Sequence, residues 1–375
     1  MEAHSQRLPD GPEKGRLSES DGRQSMSDAR HETYDVVVLG SGAAGLTAAL
    51  TASLAGLSAI VLEHAAEIGG TSARSSGSVW VPDNHHIRAR GILDDRERAE
   101  RYLAGLVGAG RDETMWRRFL DAAPRMATDL EERAGIGFRP YMSAPDYRQE
   151  FPGAALGGRP LEPVPFDGRR LGEEFGRLAA PLPELMLFGG MMITRGEAAE
   201  LLRADSSLKA ARLGAGLVAR YMADRLRYRR GTRLVLGNAL VARLLKALRD
   251  RNVPVWTSAK SHRLRQSDGR VVGVALTYEG QNLDIISRRA VILAGGGFPA
   301  NAAWRARHLP APVAEHTPAA PGCDGSRSTW RSPSGPRSVR TASTMRYGFR
   351  APSPHGATAV SRSIRTSCST APSRA

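Results

Sequence analysis

Apolar residues along this chain keep one rhythm up to about position 62 and several others beyond it. Tyr34-Asp35-Val36-Val37-Val38-Leu39 is a short run rich in β-branched residues and closed by glycine, the pattern of a strand buried on both faces. Leu46 to Ala55, rich in Ala and Leu, predicts a helix stopped at Gly56. Ala59-Ile60-Val61-Leu62 predicts a second buried strand ending at Glu63. Together these make a strand–helix–strand unit, whose crossover is expected to be right-handed. Helical spacing resumes over Arg96 to Leu106 and over Glu113 to Ala134, with Asp112 as the expected N-cap of the second. Residues 135 to 190 are rich in Gly and Pro and predict loops with short elements. Two more helices are expected at Leu208 to Leu226 and Ala239 to Arg251, and a strand at Val253 to Trp256. Arg263 to Gln266, Arg270 to Tyr278 and Asn282 to Ser287 are separated by Ser267-Asp268-Gly269 and Glu279-Gly280, which predicts a β-meander. Ala290 to Ala294 is a last apolar strand before Gly295-Gly296-Gly297. The class is α/β.

Both ends break this pattern. Residues 1 to 32 are polar and charged without period and predict a disordered extension. Residues 323 to 375 contain no Leu, Lys or Glu and are crowded with Ser, Thr, Arg and Pro. Such a stretch cannot bury enough apolar surface to offset chain entropy. The formal charge of +15 owes much to this tail, which carries nine Arg against one Asp. With the remainder spread over helices as solvated faces and no basic run interleaved with aromatics, nucleic acid is not an expected partner. The two cysteines, Cys323 and Cys368, both sit in the tail, so a disulfide framework and Cys-ligated metal are not expected. No basic-then-apolar leader opens the chain, which points to a cytoplasmic location. Val36 to Leu62 is apolar enough to mimic a membrane span, but its Gly-Ser-Gly interruption predicts a nucleotide fold and no transmembrane segment.

The chemistry begins at Gly40-Ser41-Gly42-Ala43-Ala44-Gly45, between the first strand and the first helix, with Glu63 closing the second strand. In this setting Gly40 permits a tight turn, Gly42 lets backbone approach a pyrophosphate, and Gly45 allows close helix–strand packing. The helix N-terminus offers unpaired N–H groups and the positive end of a dipole to phosphates. Glu63 is placed to accept hydrogen bonds from adenosine ribose hydroxyls. A second small-residue loop, Gly69-Gly70-Thr71-Ser72-Ala73-Arg74-Ser75-Ser76-Gly77, follows directly. A nicotinamide enzyme has no need of it, whereas in an FAD enzyme its amides and hydroxyls can line the pyrophosphate and approach the flavin.

Four stretches carry a family resemblance: Gly40 to Gly45, the loop from Gly69 to Pro82, Arg270-Val-Val-Gly-Val, and Ala290-Val-Ile-Leu-Ala-Gly-Gly-Gly-Phe298. They resemble the fumarate reductase/succinate dehydrogenase flavoprotein superfamily. Pro145-Asp146-Tyr147 before Phe151-Pro152-Gly153, and Tyr228 to Leu234 before Gly237-Asn238-Ala239-Leu240, are similar to its 3-ketosteroid Δ1-dehydrogenase branch. The resemblance spans about 34 to 322. It implies a glutathione-reductase-like, Rossmann-type FAD-binding fold with a β-meander, and an FAD-dependent oxidoreductase acting on a CH–CH bond of a small, apolar, steroid-like ketone. The FAD site it implies is Gly40, Ser41, Gly42, Ala43, Ala44, Gly45, Glu63, Gly70, Thr71, Ser72, Gly77, Gly295 and Gly296. Tyr147 matches one of the family tyrosines that act as acid or base at the ketone. The electron acceptor stays open. A fumarate- or urocanate-reductase-like flavoprotein and a non-catalytic flavin-binding fragment are the alternative readings.

By this reading residues 33 to 298 form the first segment of the FAD domain and 299 to 322 a stub of the substrate domain, which is largely missing. Past Gly322 the family pattern stops, and the tail has the composition of a GC-rich gene read out of frame from about residue 324. A genuine disordered basic tail is the alternative. No metal site is expected: His85-His86 has no carboxylate at metal spacing, and adjacent residues of a strand face opposite ways. Ser261 and His262 are placed to pass near an adenine, and Met186, Met191 and Met192 to line core or an apolar substrate wall.

Overall fold

The computed structural model describes residues 30–108 and 113–325. Strand β1 (Arg30–Leu39), helix α1 (Ala43–Leu54) and strand β2 (Ala59–Leu62) form the expected opening unit. Strand β1 starts before the boundary expected at residue 33. Short elements follow: α2 (Gly70–Ala73), β3 (Val79–Trp80) and α3 (His85–Arg88). Next come α4 (Arg96–Val107) and α5 (Thr114–Ala134); Asp112, the expected cap of α5, lies outside the described residues. Three small strands, β4 (Phe138–Pro140), β5 (Pro160–Pro163) and β6 (Phe166–Asp167), occupy the Gly- and Pro-rich stretch. Then come α6 (Arg195–Leu201), α7 (Leu208–Arg225), β7 (Arg233–Leu234) and α8 (Leu236–Arg249). The chain continues through β8 (Val255–Trp256), β9 (Lys260–Ser267), β10 (Arg270–Tyr278), β11 (Gln281–Leu293) and α9 (Ala302–His308). No helix among the described residues is long and apolar enough to cross a membrane.

The main sheet has the order β8-β2-β1-β11-β10-β9. Its first four strands run parallel, and β10 and β9 are antiparallel additions. Side chains of a strand alternate between faces, and here the alternation sorts two cores. Val36, Val38, Ala59 and Val61 join the large cluster with α1 and α8. Val37, Leu39, Ile60 and Leu62 join a second cluster with Val274 and Leu276 of β10 and Leu283 and Ile285 of β11. The meander thus covers one face of the parallel strands while α1 and α8 cover the other. Both hairpin turns have consecutive positive φ, at Asp268-Gly269 and Glu279-Gly280, the twist that two-residue hairpins need.

One expectation is corrected. The last meander strand and the final apolar strand are a single strand, β11, paired with β1 from Leu283 to Leu293. The break read at Ser287-Arg288-Arg289 is a bulge. Tyr34 faces Ser287 and Val36 faces Ala290, so β11 carries one extra residue there. Asp35 latches the bulge, accepting from Arg288 Nε and Ser58 N–H at 2.9 Å and from the Ser58 hydroxyl at 2.8 Å. The Arg288 bond, followed by those from Ser58, holds the Asp35 carboxyl well below the ordinary carboxylate range. A group depressed in the folded state stabilises it above the ordinary carboxylate range and loses that effect as pH falls through its own titration.

A buried ion triad fixes the segment between β3 and β5. Arg159 is fully buried and donates to Asp94 at 2.6 Å and to Asp146 at 2.7 Å. Asp94 also accepts the Asp83 N–H, and Asp146 accepts from Trp80 Nε1 at 2.7 Å and from the Ala155 N–H. One guanidinium thus joins the approach to α4, the strand after the second small-residue loop, and the loop that carries Tyr147. Substituting Arg159→Leu leaves two buried carboxylates without their cation, and an unpaired buried charge costs about 3–5 kcal/mol. Urea unfolding should show a loss of that size; a loss below about 1 kcal/mol would mean that both carboxylates are satisfied without Arg159.

Candidate functional site

Three loops meet at the C-terminal ends of β1, β2 and β11, where ligands bind in open α/β sheets. The first is Gly40–Gly45. Gly40 packs its Cα on the Ala294 carbonyl, and Gly45 lies on the carbonyl of Gly40 with no room for a Cβ. Gly42 is the N-cap of α1 and has no side chain to close the helix end. The second loop contains α2, and two serines join it to the first. Ser72 Oγ accepts the Ala43 N–H at 3.0 Å, and Ser41 Oγ accepts the Gly69 N–H at 2.9 Å.

Glu63 anchors the assembly. Its Oε2 accepts both the N–H and the hydroxyl of Ser41 at 2.7 Å, and its Oε1 accepts the Ala65 N–H at 2.8 Å. Its backbone carbonyl accepts the Ala259 N–H, which sets the start of β9 beside it. Ser261 is therefore near this corner, with its Oγ buried and without a partner. His262 instead turns into the meander, bonded to Thr277 Oγ1 at 2.6 Å.

The second loop is held from behind by α8, which starts three residues before the predicted Ala239. Gly237 donates its N–H to Ser75 O, and Asn238 donates to Ala73 O at 2.8 Å and Ala179 O at 3.0 Å. Leu236 takes a left-handed φ of 56° to start the helix there, a strained conformation tolerated where packing determines it. A Cβ on Gly77 would meet Gly237 at 2.6 Å, so Gly77 has a packing role here. Arg230, pushed down to about 10 by burial, bonds Asn238 Oδ1 at 2.8 Å and stays charged at neutral pH. The Gly237-Asn238 pair was visible in the sequence as part of a family stretch; its task was not.

The third loop is Gly295–Gly297, where the expected stub returns. The Ala320 N–H donates to Thr71 Oγ1 at 3.0 Å, and buried Cys323 sits 3.3 Å from the same oxygen and against Gly296. Packing thus continues past Gly322 to Gly325, which lies against Phe298 and Trp304. Residues 326–375, with Cys368, lie outside the described residues.

These features fit an FAD. The end of α1 is uncapped by any side chain of its N-cap residue. Space is cleared at Gly42, where a Cβ would meet only Ser72 Oγ at 3.5 Å, and at Gly70, where it would meet nothing within 4 Å. Arg74 Nε and Ser261 Oγ, in the second loop and beside Glu63, are buried without partners. Gly40 to Gly45, Glu63, Thr71, Ser72 and Gly296 lie in the three loops joined by these contacts. Tyr147 is carried on the loop tied by Asp146 and is 84 % exposed. Met191 and Met192 are buried in the core.

The histidine pair departs from expectation. His85 and His86 open α3, capped by Asn84, and are not on a strand. Glu131 of α5 supplies the carboxylate that sequence spacing did not show.

Residues 35–341 match the FAD binding domain family, and the chain belongs to it. It is 35 % identical over 287 residues to the 3-oxosteroid 1-dehydrogenase of Comamonas testosteroni, covering 75 % of this chain and 50 % of that protein. It is equally 35 % identical over 276 residues to the 4-oxocyclohex-2-ene-1-carboxylate 5-dehydrogenase of Sinomonas cyclohexanicum, covering 74 % and 46 %. Among solved structures, the 3-ketosteroid Δ1-dehydrogenase of Sterolibacterium denitrificans in complex with 1,4-androstadiene-3,17-dione superposes with a TM-score of 0.70 at 34 % identity, covering 78 % of this chain and 53 % of that one. The chain spans about half the length of the curated relatives it matches.

Two substitutions separate the site from the scaffold. Gly42→Ala has room in the protein and an extended backbone, so the unfolding midpoint should hold while FAD affinity falls at least about tenfold, by crowding the pyrophosphate approach. Gly45→Ala forces a methyl into the Gly40 carbonyl and should destabilise the fold by about 1–3 kcal/mol. Equal effects of the two on unfolding would contradict this division. Glu63→Gln should weaken FAD binding by roughly 1.5–3 kcal/mol through lost charge-assisted bonds, read by calorimetric titration; unchanged affinity would remove Glu63 from the ribose site.

Proposed function

We propose that this chain supplies the FAD-binding half of an oxidoreductase that dehydrogenates a CH–CH unit next to a ring ketone, with 3-ketosteroids as the favoured substrate class. The observation that carries this reading is the chain's 35 % identity, beside its FAD-binding domain, to enzymes named for oxo-ring dehydrogenation. A bound FAD would supply the acceptor for the hydride leaving the substrate carbon. The chain's own contribution is to hold the pyrophosphate at the end of α1, the ribose at Glu63, and a phenol at the substrate. In the proposal Tyr147 exchanges a proton at or beside the ketone. Its exposure leaves the ring free to meet a substrate, and Asp146, locked by Arg159, fixes the backbone next to it. Preorganised proton transfer of this kind contributes about 10²–10⁴-fold to rate.

A chimera tests the reading: residues 30–325 of this chain joined to the C-terminal half of the Comamonas 3-oxosteroid 1-dehydrogenase. Once loaded with FAD it should reduce an artificial dye when given a 3-ketosteroid, and Tyr147→Phe should lower kcat by on the order of 10²-fold with flavin retention unchanged. Turnover of a 4-oxocyclohexane carboxylate in place of the steroid would move the substrate class to the smaller ring ketones. An FAD-loaded chimera silent with both would sink the dehydrogenase reading.

A further inference from the structure

We propose that His85, His86 and Glu131 form a binding site for a first-row divalent cation of the zinc type, separate from the FAD loops. The two imidazoles bring their Nε2 atoms to the two oxygens of one carboxylate, His85 at 2.6 Å from Oε2 and His86 at 3.0 Å from Oε1. All three ligand atoms lie within 4.8 Å of one another; donors around a zinc ion stand roughly 3.3 Å apart. Glu131 Oε1 is steadied from outside by the Phe138 N–H at 2.7 Å.

Each ring turns its Nε2 toward the carboxylate, and His85 has a second oxygen on its other side. Thr128 lies one turn along α5; its hydroxyl donates to Pro124 O at 3.2 Å and stands 3.3 Å from His85 Nδ1. An outer ring nitrogen beside an oxygen, with the inner nitrogen on the ion, is the arrangement of a metal-ligating histidine. The two ring centroids are 4.2 Å apart, close enough for both imidazoles to serve one ion. One metal ion satisfies both rings and the carboxylate at once. The imidazole and carboxylate donors suit zinc, nickel or copper, and an unfilled coordination position is left for water. Residues 85, 86 and 131 come from α3 and α5, so the ion acts as a clip across the segment that follows the second FAD loop.

The test uses the full chain loaded with FAD and stripped of metal by a chelator. Titration with Zn²⁺ should show one ion bound per chain, and Co²⁺ should develop ligand-field absorption in the same proportion. The double variant His85→Ala/His86→Ala, whose changes fall on the two partly exposed side chains of α3 and leave the buried Ile87 in place, should keep its FAD and lose at least tenfold in Zn²⁺ affinity. Glu131→Gln should do the same, and Zn²⁺ should raise the Tm of the unaltered chain only. Stoichiometric uptake unchanged in the double variant would overturn the site. So would no uptake at all, with a Tm that depends on these histidines only through pH, the behaviour of a plain ion pair.

Discussion

The site depends on burying one carboxylate. Glu63 ends β2 in a position that is 9 % exposed, and an ionised group there is costly unless hydrogen bonds replace its water. Ser41 and Ala65 supply three of them, and Ser41 passes the constraint on by accepting from Gly69. The first two loops are thereby set relative to each other before any ligand enters. What remains open is the side facing the end of α1, where backbone N–H groups favour an anion. Glu63 and the end of α1 thus sit on one rigid frame, and preorganisation of that kind reduces the ordering cost of binding.

Support comes from the opposite direction. Helix α8 is buried around nearly its whole circumference, so it cannot shift without disturbing the large core. By bonding the second loop through Gly237 and Asn238 it couples the position of Thr71 and Ser72 to that core. The Arg159 triad does similar work further out, where Trp80 and Asp146 share a cation. The second small-residue loop, held between two such anchors, behaves as part of the scaffold.

The legible parts of this molecule are those whose physics is local. The strands at Val36–Leu39 and Ala59–Leu62, the Gly-rich turn, Glu63 and both meander turns follow from runs of adjacent residues. Features set by distant partners were read wrongly or not at all. Arg288-Arg289 looks like a strand end until Asp35 and Ser58 arrive to hold the bulge. His85-His86 looks solvated until α5 brings Glu131 beneath it. Nothing in the sequence signals that Arg159 is fully buried, since Asp94 lies 65 residues upstream and Asp146 on a separate loop 13 residues away. Tyr147 was placed by resemblance, and the structure gives it a firm mount and an exposed ring.

The continuity of β11 bears on how the chain is made. The second neighbour of β1 is its partner through the middle of the sheet, yet Val36 pairs with Ala290 and Leu39 with Leu293. While a ribosome works through the residues between, Val37 and Leu39 have β2 on one flank and no cover on the face that the meander will occupy. Pairing across so long a loop is entropically slow, and an apolar strand edge waiting for its partner attracts other chains. The edge of β1 is therefore the part of an unfinished chain most open to pairing with other chains until residue 293 has emerged.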